Sequence, residues 1–199
     1  MGFILVAYYT AGSIYEESAM KLMKSAEKLS VPCAFEKILD RGSWGKNTEY
    51  KPTFIRDCMI KYPNCNIAYT DADSMIHEYP ILFDDPLARL IIRKQDFRWR
   101  KNEFMSGTFF MRNDVDCRMI VDSWINKVAM GETVRSNPQT WEQYHLGQAI
   151  LESGIEWLQL PHKYIYYDHI EHAEGFEANP VFTHMQFSRK ITQNRNEHA

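Results

Sequence analysis

Asn66-Ile67-Ala68-Tyr69-Thr70-Asp71-Ala72-Asp73 reads as a short apolar strand that runs straight into two aspartates separated by one residue. Such a run suits a strand inside a sheet, covered on both faces. In extended chain the side chains at i and i+2 project to the same side, so Asp71 and Asp73 are expected to converge. Two carboxylates brought together repel unless a proton or a cation lies between them. Hard oxygen donors with open positions suit Mg²⁺ or Mn²⁺ shared with a ligand's phosphates. The plainer alternative is a pair of solvated acids in a turn, where Asp is common. The chain on either side decides how much weight the metal reading bears.

Upstream, residues 3–9 form a continuous apolar run of strand length, and Ser13-Ile14-Tyr15-Glu16 has the S-x-x-E form of a capping box. Tyr15, Ala19, Leu22, Met23, Ala26 and Leu29 then share one helical face, opposite Lys21, Lys24 and Lys28, until Pro32. Residues 33–39 resume as a strand, and a second helix begins at Pro52, turns Phe54, Ile55, Cys58 and Met59 inward, and stops before Pro63. The strand at 66–70 is therefore the third of a β-α-β-α-β half. Right-handed crossovers build such halves into a parallel sheet whose carboxyl edge binds ligands. Asp71 and Asp73 fall at that edge.

Downstream, residues 89–93 read as a strand, Arg98, Trp99, Arg100 and Lys101 as a basic-aromatic loop, and residues 107–111 as a further strand. A helix from about Asp114 turns Val115, Met119, Trp124 and Val128 inward and ends at Gly131. Another helix over 141–152 is capped by Thr140 and ended by Gly154, and from Ile155 the chain reads as short strands and loops. One domain is expected over 1–189, with a polar, frayed tail at 190–199.

The composition narrows the partners. Among 199 residues, 23 Lys+Arg against 26 Asp+Glu leave a net charge of −3, which argues against a nucleic-acid or anionic-membrane role. No stretch approaches the ~20 apolar residues of a membrane span, and the opening run has no basic leader. The expectation is a soluble, unsecreted, cytoplasmic protein. Cys33, Cys58, Cys65 and Cys117 form no CxxC pair and read as reduced thiols. An aromatic content of 14% serves cores and flat-ligand pockets alike.

The motifs, in their order and spacing, resemble the nucleotide-diphospho-sugar transferases of the GT-A fold, particularly the glycogenin-like and lipopolysaccharide-glycosyltransferase-like members. The resemblance is carried by 66–73, by Met105-Ser106-Gly107-Thr108-Phe109-Phe110, by Trp141-Glu142-Gln143 and by Thr183-His184-Met185-Gln186-Phe187-Ser188-Arg189. It implies a single-domain α/β fold, Rossmann-like, three-layered α/β/α, with a mostly parallel mixed central sheet. It also implies that Asp71 and Asp73 hold Mn²⁺ or Mg²⁺ on a donor diphosphate, with His184 completing the metal shell. Tyr8, Tyr9 and Thr10 would meet the base and ribose, Ala72 would lie along the donor, and Lys51 would meet its phosphates from a helix start. Ser106-Gly107-Thr108 would bring backbone close to the donor sugar, and Glu142 and Gln143 would face the reacting carbon. Each residue has a plainer reading: Tyr8 in the core, Lys51 solvated, Gly107 in a strand bend, His184 structural, and Gln143 closing a capping box with Thr140. His169-x-x-His172 reads as surface loop.

The reaction implied is transfer of a hexose from a nucleotide diphosphate, with UDP expected, to a hydroxyl acceptor on a sugar, a lipid-linked carrier or another molecule. If the enzyme inverts, Glu142 is the candidate base; if it retains, Gln143 supports the front face. Two alternatives compete: a nucleotide-sugar-binding protein without turnover, and a haloacid-dehalogenase-like phosphatase. The phosphatase motif normally sits on the first strand, with Thr or Val where Met75 stands here.

Overall fold

A computed structural model describes residues 1–97, 100–131, 141–167 and 179–186. The first half is the predicted alternation: β1 (Phe3–Thr10), α1 (Ile14–Lys28), β2 (Cys33–Ile38), a short α2 (Trp44–Thr48), α3 (Lys51–Lys61) and β3 (Asn66–Thr70). Next come β4 (Ser74–Ile76), β5 (Leu90–Phe97), β6 (Arg100–Met111), α4 (Val115–Ala129), α5 (Trp141–Ser153), β7 (Leu158–Gln159), β8 (Tyr166–Tyr167) and β9 (Phe182–His184).

The central sheet has the order β2-β1-β3-β6-β5-β7. β1 pairs in parallel with β2 and β3, β6 is antiparallel to β3 and β5, and β7 is parallel to β5. All strands but β6 thus run the same way, giving the mostly parallel mixed α/β sheet expected. A small sheet, β4-β9-β8, lies apart from it.

Strand alternation divides the core into two layers. Val6, Tyr8, Ile67, Tyr69 and Phe109 face α3, α4 and α5 through Phe54, Ile55, Met59, Trp124 and Leu146. Leu5, Ala7, Ala68, Ile91 and Phe110 face α1 and the small sheet through Leu22, Ala26, Phe83 and Phe182. The aromatic residues are largely spent here: Tyr69 stacks on Phe109 at 5.3 Å and Phe83 on Phe110 at 5.8 Å between centroids. All four cysteines are free thiols, and among the described residues no helix is long and apolar enough to cross a membrane.

Several expectations are corrected. In α4 the buried stripe is Cys117, Ile120, Val121 and Trp124, whereas Val115 and Met119 are 70% and 65% exposed. Apolar residues lie on both sides of this helix, and packing against α3 and α5 selects the stripe through Trp124. Arg100 and Lys101 belong to β6 instead of a loop, and β5 runs on to Phe97, paired with Arg100. A hairpin arm satisfies its backbone by pairing alone, so its charged side chains conceal it. The capping box at α1 is offset: the Ser13 hydroxyl accepts from Tyr15 N at 3.2 Å, while Glu16 accepts from Gly12 N at 2.7 Å and from Lys37 at 2.6 Å. The short α2, capped by Ser43, was not predicted. Arg98, Trp99, Thr140, His169, His172 and the tail at 190–199 lie outside the described residues.

The register of α4 is testable by thermal denaturation. Met119→Lys should leave the melting temperature within a few degrees of wild type, while Ile120→Ala should cost about 2–5 kcal/mol. A large loss in Met119→Lys with little in Ile120→Ala would mean that the stripe through Met119 is the buried one.

Candidate active site

Two strand pairings build the site. β3 runs beside β6 with Thr70 opposite Thr108, and the ladder continues one step as Asp71 N donates to Gly107 O at 2.9 Å. The chain then turns, with Ser74 N donating to Asp71 O at 3.1 Å, and enters β4. Asp71 and Asp73 therefore converge through a turn, not through the extended alternation expected. β4 pairs antiparallel with β9 so that Ser74 stands opposite His184, and Met185 N donates to Asp73 O at 2.9 Å. One ligand atom from each of Asp71, Asp73 and His184 lies within 4.8 Å of the others. Asp73 and His184 are buried and Asp71 is half-buried.

A buried line of hydroxyls backs His184. Thr108 Oγ1 lies 2.8 Å from its Nε2, Thr70 Oγ1 3.0 Å from Thr108, and Ser74 Oγ 2.9 Å from Thr70. Burial pushes the imidazole down to about 4, only partly opposed by Asp71, so it is neutral and able to ligate a cation.

Asp71 is held from its other side. Its Oδ1 accepts from the Tyr69 hydroxyl at 2.9 Å and lies 3.1 Å from Lys51 Nζ. Lys51, only 3% exposed, also donates to Glu142 Oε1 at 2.9 Å and to the carbonyl and hydroxyl of Ser106, each at 3.2 Å. Burial alone would lower this ammonium's pKa, but Asp71 and Glu142 outweigh it and hold the group well above its ordinary value. Burial raises the Glu142 carboxyl, with Lys51 as the main opposing influence. Glu142 Oε1 accepts in addition from the Ser106 hydroxyl at 2.8 Å, while its buried Oε2 has no partner among the described residues.

The other expected residues take definite places. Gln143 Oε1 accepts from Ser106 N at 3.1 Å and its Nε2 donates to Glu103 at 2.7 Å, so its carboxamide is spent on β6. Tyr8 is buried against Tyr50, Phe54 and Tyr69, and its hydroxyl donates to Asn47 O at 2.9 Å. Tyr9 and Thr10 are half-buried at the end of β1, and Ala72 is buried in the turn. Ser106-Gly107-Thr108 lies inside β6 and is not a turn. A Cβ added at Gly107 would come within 3.2 Å of Asp71 Oδ2 and 3.3 Å of His184 Cε1, so the missing side chain keeps open the space between two candidate ligands. Sequence reasoning missed the supports Tyr69, Thr70 and Ser74. The only signal for them was polar atoms on otherwise apolar strands next to the aspartates.

Two carboxylates and a neutral imidazole, with a glycine cradle beside them, fit a divalent ion of the Mn²⁺ or Mg²⁺ type. No family model and no curated protein matches the sequence. Among solved structures, the chain is similar to a glycosyltransferase involved in the glycosylation of the major capsid of PBCV-1. The TM-score is 0.69 at 13% identity, over 99% of this chain and 100% of that one. The fold is that of a glycosyltransferase. In this glycosyltransferase fold the aspartate turn and His184 meet just past the carboxyl end of β3, on the sheet edge where α/β folds take ligands.

Gly107→Ala should fold, because the neighbours need to give by only a few tenths of an ångström. It should weaken Mn²⁺ binding by about 10–100-fold, as disturbance beside a metal shell typically does. Mn²⁺ calorimetry against wild type checks this, and unchanged affinity would remove Gly107 from the site.

Proposed function

We propose that this chain is a metal-dependent glycosyltransferase that moves a hexose from a nucleotide-diphosphate sugar, with UDP the expected nucleotide, to a hydroxyl acceptor. The observation that carries the reading is the convergence of Asp71, Asp73 and His184 within 4.8 Å at the edge of a glycosyltransferase fold. The charges support it. Asp71 and Glu142 share the ammonium of Lys51, so two carboxylates meet one cation and the pair keeps negative charge for a divalent ion.

Asp71, Asp73 and His184 would hold Mn²⁺ or Mg²⁺, which as a Lewis acid neutralises the charge that grows on a departing diphosphate. The chain's own groups do the rest. Tyr69 and Lys51 hold Oδ1 of Asp71 and leave Oδ2 facing the Gly107 cradle. The tight approach of Gly107 brings backbone next to the donor. Tyr9 and Thr10 end β1 on the side where the base and ribose would lie. Of Glu142's two oxygens, Oε1 is committed to Lys51 and Ser106, so the acceptor's proton would go to Oε2 in an inverting reaction. Gln143, the candidate for a retaining reaction, would have to give up part of its bonding to Ser106 and Glu103 to face the reacting carbon, which favours the reading through Glu142.

Calorimetry with UDP should show binding in the presence of Mn²⁺ that is lost with chelator and in Asp73→Asn. Equal affinity with and without metal would overturn the metal role. His184→Ala should need more Mn²⁺ for half-maximal UDP binding than wild type, and an unchanged requirement would take His184 out of the metal shell. With a UDP-hexose and an acceptor, Glu142→Gln should lower turnover by about 10²–10⁴-fold if the carboxylate is the base, and full activity would exclude it.

A further inference from the structure

Lys51 is bonded to the first aspartate of the turn, and it is not placed as a solvent-facing phosphate ligand would be. It is 3% exposed, and its ammonium is shared among Asp71 Oδ1, Glu142 Oε1 and two oxygens of Ser106, with the Tyr69 ring 5.0 Å away. One oxygen of a candidate metal ligand is therefore already neutralised from inside the protein. A divalent ion arriving at Asp71 meets a fixed positive charge on the far side of the same carboxylate. In a partly buried site that repulsion is poorly screened. Glu142 works in the opposite sense. It shares the ammonium with Asp71, at 2.9 Å beside 3.1 Å, and returns one negative charge to the site.

We infer that Lys51 is a resident counter-cation that lowers the site's affinity for a bare divalent ion. A bare ion is then bound more weakly than one that meets an anionic diphosphate in the site, with Glu142 offsetting part of the ammonium's effect. The inference rests on the metal reading proposed above and adds to it a coupling set by this chain's own lysine. A diphosphate supplies the negative charge that offsets the ammonium, so metal and nucleotide are coupled, and the coupling is reciprocal.

The test is titration calorimetry with MnCl₂ alone, and again with saturating UDP, on wild type, Lys51→Met and Glu142→Gln. Lys51→Met should bind Mn²⁺ alone about tenfold more tightly than wild type and gain less from UDP. Glu142→Gln, which leaves the ammonium entirely to Asp71, should bind Mn²⁺ alone about tenfold more weakly. Opposite signs are the signature, because a merely structural role for the pair would weaken binding in both variants. If Lys51→Met does not fold, Lys51→Gln, which removes the charge but keeps an amide donor for the oxygens around it, is read in its place and should show the same tightening. Weaker or unchanged Mn²⁺ binding in the Lys51→Met protein, or in Lys51→Gln read in its place, overturns the inference and leaves the metal site standing. No Mn²⁺ binding by wild type, with or without UDP, overturns the metal reading and this inference with it.

Discussion

Burying an ammonium is tolerated only where opposite charge and hydrogen-bond acceptors replace the water it loses. Lys51 meets that demand by drawing on four separate segments: its own helix α3, the turn after β3 through Asp71, strand β6 through Ser106, and helix α5 through Glu142. The ion cluster therefore ties both halves of the chain together behind the sheet edge. Trp124 of α4 adds to it by donating its indole N–H to Glu142 O at 2.7 Å. Removing one partner would leave a buried charge unmatched, which is far costlier than losing an exposed pair such as Lys21–Glu17.

The same cluster explains why the aspartate turn is rigid on one side and open on the other. Tyr69 and Lys51 restrain Asp71 Oδ1, while the ladder bond from Asp71 N to Gly107 O restrains its backbone. His184 is fixed from behind by Thr108 and along its strand by pairing with β4 and β8. Candidate ligands held on strands and backed by a buried hydrogen-bond layer are preorganised, so an incoming ion need not order them. A site with hinged ligands would lose that advantage.

The aromatic residues illustrate how burial overrides a plausible functional reading. Tyr8 stands at the end of a strand where a nucleobase could stack, yet its ring is enclosed by Tyr50, Phe54 and Tyr69, and burial raises its phenol well above the ordinary value. The ring contributes to the core between the sheet and α3. Partial exposure begins only at Tyr9 and Thr10, the last two residues of β1.

Local signals were enough to read the β-α-β-α-β half, the exact span of β3, the cap at Ser13, the start of α4 near Asp114, and the placement of two aspartates at a sheet edge. These depend on side-chain periodicity and on residues within a turn of one another, which the linear chain displays. Tertiary structure decided the rest. Whether α4 buries Met119 or Ile120 depends on which neighbours it packs against, and the β5–β6 arm exists because two charged segments satisfy each other's backbones. His184 reaches the aspartates only because β4 and β9 pair with Ser74 opposite it, across more than a hundred residues of chain. Lys51 could be read in sequence as a surface lysine at a helix start; only the folded chain brings Asp71, Ser106 and Glu142 around it. Contacts at such separation leave no periodic trace, because the energy that selects them comes from burial and charge pairing that arise only when the whole sheet has closed.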